Sequence, residues 1–112
     1  MSKPASRPYS QYTRAALQLL GQLIREGRVA KSLTTTDLAA RAGISRSLLH
    51  RIECGDPGCS VGAMFEVATI CGVSLFEPDE RSLAATLARY QEKMTLLPKS
   101  IRAVKREVKD DF

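Results

Sequence analysis

The stretch that decides the fold is LTTTDLAARAGISRSLLHRIECG, residues 33–55. Its apolar residues fall into two groups with the three- and four-residue spacing of an amphipathic helix. They are Leu38, Ala39 and Ala42 in the first group and Leu48, Leu49 and Ile52 in the second. Between the groups, Gly43 can adopt the positive φ that ends a helix, and Ser45 is a suitable N-cap. The pattern predicts two short helices joined by a tight turn.

Two short helices that meet at a glycine-containing turn are typical of the helix-turn-helix motif. In that motif the second helix enters the major groove of DNA and places its N-terminal residues on base edges. The second predicted helix carries polar residues on the side away from its apolar face. They are Arg46, Ser47, His50 and Arg51. We therefore expect sequence-specific DNA binding, with these four residues as candidate base contacts; for His50 the alternative is a contact to phosphate only.

Three consecutive threonines, Thr34, Thr35 and Thr36, stand at the start of the first predicted helix. One of them must be its N-cap; Thr34 or Thr35 fits best, and Asp37 suits the positive end of the helix dipole. A hydroxyl beside the free N–H groups of a helix start is equally suited to a phosphate contact. Thr35, Thr36 and Ser45 are the candidates for that second role.

Length, charge and apolar content limit the classes of protein to which this sequence can belong. The chain has 112 residues and a formal net charge of +5, which predicts one domain with tails and suits a polyanionic partner. Many small soluble domains are basic, so the charge is only a modest argument. No apolar run is long enough to span a membrane, and the N-terminus lacks the apolar core of a secretory signal. These features predict a cytoplasmic location and no membrane partner.

The cysteines and the single histidine give no sign of a metal or a reaction. Three cysteines are an odd number and imply no disulfide framework. His50, Cys54 and Cys59 are close in sequence, but their spacing matches no common zinc site. The chain also lacks clustered carboxylates at catalytic spacing and a glycine-rich phosphate loop. We therefore expect no metal, no cofactor and no enzymatic activity.

The remainder of the chain predicts a simple division. A basic arm is predicted over residues 1–9; it is either disordered or contacts DNA through Lys3 and Arg7. The predicted parts are a flexible basic arm over residues 1–9, a helix-turn-helix domain over residues 10–78 with its recognition helix at about 45–54, a C-terminal helix over residues 79–97, and a charged tail over residues 98–112.

The C-terminal helix carries apolar residues that step by four, three, four and three. They are Leu83, Leu87, Tyr90, Met94 and Leu97. This heptad-like seam covers about two heptads, fewer than a coiled coil needs. It indicates either core packing within the monomer or a surface for a second copy or another protein.

The last residue, Phe112, follows two aspartates at the end of the charged tail. The tail is either solvated, or its aromatic end docks into a partner's pocket and folds on binding.

The sequence also predicts a helix from about Ser10 to Arg28, and this helix is expected to approach the end of the recognition helix. Two charges, Arg28 and Glu53, stand at that point. They predict a structural ion pair. If both are solvated, the pair contributes little.

Residues from about Leu20 to Phe76 resemble the XRE, or Cro/C1-type, helix-turn-helix domain of phage repressors and bacterial regulators. The similarity lies in Leu33-Thr34, Leu38-Ala39, Ala42-Gly43-Ile44-Ser45, Arg51-Ile52-Glu53, Gly55 and Gly72-Val73. The resemblance implies an all-α, five-helix, lambda-repressor-like bundle.

The resemblance also assigns roles to single residues. It places Arg46, Ser47 and Arg51 where base edges are contacted, and it places Arg28 and Glu53 where the family often has an ion pair. Thr35 stands where a glutamine usually binds phosphate; because threonine is shorter, that contact is lost or passes to the backbone.

A narrower resemblance covers HRIECGDPGCSVGAMFEVATICGVSLFE (residues 50–77) and KMTLLPKSIRAVKREVKDDF (residues 93–112). Both stretches are similar to small HipB-type antitoxins that are encoded beside HipA-type kinase toxins. The resemblance implies a homodimer that binds a palindromic operator, represses its own operon and neutralises a Ser/Thr kinase by complex formation. The alternative is a stand-alone XRE-type regulator without a toxin partner.

Overall fold

The computed structural model describes residues 9–99 and has five α-helices in that range, with no strand there. The helices are α1 Gln11–Ala30, α2 Thr35–Ala42, α3 Arg46–Glu53, α4 Val61–Ile70 and α5 Glu80–Met94. The all-α helix-turn-helix fold expected from the sequence is confirmed. The expectations for Lys3, Arg7 and Phe112 lie outside the described residues.

Each helix begins where a short polar side chain caps it. The caps of α1 to α5 are Ser10, Thr34, Ser45, Ser60 and Asp79, and each accepts a hydrogen bond from the backbone N–H three residues further on. These caps satisfy N–H groups that have no partner inside the helix. Local side-chain chemistry therefore sets all five starting points.

Thr34 is the threonine that caps α2. Its hydroxyl accepts the N–H of Asp37 at 3.0 Å, and the Asp37 carboxylate accepts the N–H of Thr34 at 3.1 Å, which completes a capping box. These hydrogen bonds to Thr34 lower the pKa of Asp37. At the other end of α2, Gly43 has a φ of 70° and ends the helix as expected. Thr35 and Thr36 lie exposed in the first turn.

The chain divides after Leu75 into two compact units. In the first unit α2 packs on α3 and α4, and α1 packs on α3. The core is formed by apolar residues from all four helices, from the segment before α2 and from the residue that follows α4. They are Ile24, Leu33, Leu38, Ala39, Leu49, Ile52, Val67, Ala68 and Cys71. Four of the six apolar residues of the two predicted groups lie in this core, and the other two, Ala42 and Leu48, are half-buried and pack against it.

The second unit contains α5, which has no buried residue. Its seam residues Leu83, Leu87, Tyr90 and Met94 keep 45%, 55%, 45% and 49% of their surface exposed. The helix ends at Met94 and is followed by a turn before Pro98, so Leu97 lies after the helix. Among residues 9–99, the seam is therefore not part of a buried core.

The junction between α1 and α3 is an unusually close contact of two backbones. A Cβ atom placed on Gly21 would lie 2.5 Å from the carbonyl oxygen of Glu53 and 2.7 Å from that of Ile52. No side chain fits there without a shift of one helix. Helix propensity indicates only that a glycine within α1 weakens the helix slightly, so sequence reasoning misses the packing role of Gly21.

An ion pair closes the same junction. The Arg28 Nε donates to Glu53 Oε2 at 2.7 Å and its Nη2 donates to Oε1 at 3.1 Å, while Nη1 donates to the carbonyl of Leu33 at 3.1 Å. The side chains of Arg28 and Glu53 are only 12% and 10% exposed. The hydrogen bond to Glu53 raises the pKa of Arg28. One guanidinium thus joins α1, the end of α3 and the residue before the cap of α2.

We predict that Gly21→Ala destabilises the protein by about 2 kcal/mol or more, because the added methyl group meets backbone carbonyls that cannot rotate away. The measurement is urea unfolding followed by circular dichroism. The matched control is Gly62→Ala in α4, where the methyl group would enter open space. The control should be neutral or stabilising by up to about 1 kcal/mol. Equal effects of the two substitutions would contradict the close-contact account.

Candidate nucleic-acid interface

The helix α3, the candidate recognition helix, has one side buried in the core. Ser45 caps α3 by accepting the N–H of Leu48 at 3.0 Å, and Leu49 and Ile52 are buried in the core. Because a helix turns once in 3.6 residues, burial of these two side chains fixes which residues point outward. Sequence positions 46, 47, 50 and 51 share the opposite side.

All four candidate base contacts are exposed on α3. They are Arg46, Ser47, His50 and Arg51. Arg46 and Ser47 form the first turn, which is the part of a recognition helix that reaches base edges. His50 and Arg51 follow one turn later on the same side. The described geometry thus places the four residues on one continuous outward surface, which we call the recognition face.

The candidate phosphate contacts stand at the starts of α2 and α3. Thr35 and Thr36 lie exposed in the first turn of α2, beside N–H groups that have no partner within the helix. The Ser45 hydroxyl already accepts a hydrogen bond from Leu48. A hydroxyl that accepts can still donate its own proton, so Ser45 keeps one hydrogen bond for a phosphate oxygen.

Arg51 differs from Arg46 because it is engaged within the protein. Its Nε lies 2.8 Å from Asp56 Oδ2, and its Nη2 lies 3.4 Å from the carbonyl oxygen of Gly58. The hydrogen bond between the two side chains raises the pKa of Arg51 and lowers that of Asp56. Sequence reasoning missed Asp56. The available signal was an Asp-Pro-Gly turn that starts five residues after an outward-pointing arginine.

His50 has a neighbour on the same helix. Its Nε2 lies 3.5 Å from the Sγ of Cys54, which is exposed, whereas Cys59 is half-buried. Between residues 9 and 99, no three residues of the types His, Cys, Asp and Glu are grouped as a metal site requires.

Cys71 is buried, and its burial raises the pKa of the thiol. Within residues 9–99 no helix is long and apolar enough to cross a membrane.

Comparison with known proteins gives one family. A model described as a helix-turn-helix domain matches residues 19–84, which is more than half of the chain and includes all of α2, α3 and α4. No curated protein and no solved structure gives a match. The matched region contains the recognition face and the capped starts of α2 and α3. On the evidence of this match and of the geometry, the chain belongs to the helix-turn-helix domain family.

Proposed function

We propose that this protein is a transcriptional repressor that reads operator DNA with α3. The observation that carries the proposal is the recognition face, with Arg46, Ser47, His50 and Arg51 exposed together on a helix whose other side is buried. A net charge of +5 adds attraction to the phosphate backbone. The helix-turn-helix domain itself fits a DNA-binding regulator.

The proposed readout divides between bases and phosphates. An arginine donates two hydrogen bonds to O6 and N7 of guanine, so Arg46 and Arg51 favour half-sites that contain a G·C pair. Ser47 and His50 are the further base contacts. Thr35, Thr36 and Ser45 hold the phosphate backbone and fix the position of the helix in the groove.

We predict that Arg46→Ala weakens binding to the operator by about 1–3 kcal/mol and relaxes specificity at one base position. The measurement is fluorescence anisotropy with the protein's own upstream DNA and with a scrambled duplex, repeated at rising salt. The control is Arg25→Ala, which removes the same charge from the exposed surface of α1. An equal loss on both duplexes would show that Arg46 contacts only phosphate.

We propose further that two copies bind together. A two-fold axis would place two α3 helices in successive major grooves, roughly 34 Å apart, on a palindromic site. The exposed apolar seam of α5 is the surface that we assign to this dimer. Four side chains at heptad-like spacing, each about half exposed, are suited to pack against the same face of a second helix.

We expect Leu87→Glu to weaken dimerisation by about 2 kcal/mol or more, because the new carboxylate would be buried at the seam. Light scattering coupled to size exclusion measures the mass, against 12.3 kDa for one chain. The control is Ala85→Glu, an exposed position on the opposite side of α5. If the wild-type protein is a monomer, or if both variants remain dimers, the α5 assignment is wrong.

The biological role that we propose is that of a HipB-type antitoxin, which represses its own operon and neutralises a HipA-type Ser/Thr kinase. The support is the resemblance of residues 50–77 and 93–112 to such antitoxins. Phe112 is the proposed contact with the kinase. The second candidate is a stand-alone regulator, favoured by the extent of the family match, which covers residues 19–84 and not the tail.

Co-expression with a kinase-like product of the neighbouring gene separates the two roles. For an antitoxin we expect the full chain to co-purify with that product, and Phe112→Ala to weaken the complex about tenfold or more while DNA binding persists. The control is Tyr12→Ala, which removes an aromatic ring that is 82% exposed on α1. The absence of a complex with the full chain would favour the stand-alone regulator.

A further inference from the structure

Asp56 is tied to α3 and to the following loop at the same time. Its Oδ2 accepts from Arg51 Nε at 2.8 Å, and its Oδ1 accepts from the backbone N–H of Gly58 at 2.7 Å. Its own backbone N–H donates to the carbonyl of Arg51 at 3.0 Å. Three hydrogen bonds therefore fix the position of this carboxylate relative to the recognition face.

The loop closes tightly around the arginine. A Cβ atom on Gly58 would lie 3.3 Å from Asp56 Oδ1 and 3.5 Å from Arg51 Nη2. The carbonyl of Gly58 accepts from the same Nη2 at 3.4 Å. The side chains of Arg51 and Asp56 keep 46% and 36% of their surface exposed. An ion pair that is so exposed contributes little to folding stability, so its main consequence is the orientation of the guanidinium.

The orientation of the Arg51 guanidinium determines which of its N–H donors remain free. A guanidinium has five N–H groups, and the loop uses the Nε hydrogen and one on Nη2. Both hydrogens on Nη1 and the second on Nη2 stay available. Two of these, one from each terminal nitrogen, form the fork that contacts guanine O6 and N7. Asp56 and Gly58 thus hold the other edge of the group and leave the fork open.

We propose that Asp56 is a positioning residue for base recognition. It holds Arg51 so that Nη1 and Nη2 meet one guanine, and it thereby sets the base preference at one position of the half-site. The held side chain loses less conformational freedom on binding. The carboxylate also opposes a phosphate at the same place, which directs Arg51 to a base. This inference rests on the proposed reading of DNA by α3.

The test uses the full chain and an operator obtained by selection from random duplexes. Asp56→Asn keeps the size of the side chain and an acceptor for Gly58 but removes the charge. Affinities are measured for the operator, for every single-base variant of it and for a scrambled duplex, at several salt concentrations. The control is Glu66→Gln, which removes an exposed carboxylate from α4.

We expect discrimination at one base pair to fall about tenfold in Asp56→Asn, while binding to the scrambled duplex becomes tighter. The salt dependence should steepen by about one phosphate contact, because Arg51 becomes free to bind phosphate. The Arg51→Ala variant should already lack discrimination at that base pair. Adding Asp56→Asn to it should therefore change the discrimination at no position of the site. Arg51→Lys should not restore it, because lysine lacks the planar fork.

Two results would overturn the inference while the proposed function stands. A uniform loss of affinity on all duplexes with a lower melting temperature would mean that Asp56 only supports the loop. Tighter binding to all duplexes with unchanged discrimination would mean that it only neutralises charge. A wild-type protein that prefers no sequence would instead overturn the proposed function, and this inference with it.

Discussion

The orientation of α3, the proposed recognition helix, depends on the junction of α1 with α3. Gly21 lets the backbone of α1 reach the last carbonyls of α3, and Arg28 joins Glu53 to the carbonyl of Leu33 beside the start of α2. Helices of eight residues, such as α2 and α3, are not stable alone in water. Both therefore take their orientation from neighbouring helices: α3 packs on α1 and α2, and α2 packs on α3 and α4. The recognition face is thus held by contacts on the opposite side of α3.

Much of this fold could be predicted because its signals are local. The caps Thr34 and Ser45, the turn at Gly43 and the apolar spacing between them depend on residues within a few positions of each other. The role of Gly21 could not be predicted in this way. A helix propensity scale registers only that glycine weakens a helix, whereas the close contact with Glu53 depends on how two distant segments approach.

In the candidate site too, some features follow from neighbouring residues and others depend on how distant parts of the chain approach. Burial of Leu49 and Ile52 fixes the orientation of α3, so the sequence alone indicated that Arg46 and Arg51 point outward. It did not indicate that Asp56 engages Arg51, because that contact requires the turn after α3 to fold back on the helix. The direction of a side chain follows from helical periodicity, but its hydrogen-bond partner follows from the path of the loop.

This difference gives the two arginines of α3 unequal electrostatic roles. The charge of Arg51 is largely compensated by Asp56 at 2.8 Å, so it adds little to the long-range attraction of DNA. That attraction must come from the other basic side chains, which give the chain its net charge of +5. An arginine whose charge is compensated by a carboxylate is better suited to discriminate between bases than to attract DNA. Its two free N–H donors are fixed in direction and bind only a partner of matching geometry. In the proposed readout of DNA, Arg51 therefore contributes mainly to specificity, whereas Arg46, which has no such carboxylate partner in the described contacts, contributes to both attraction and specificity.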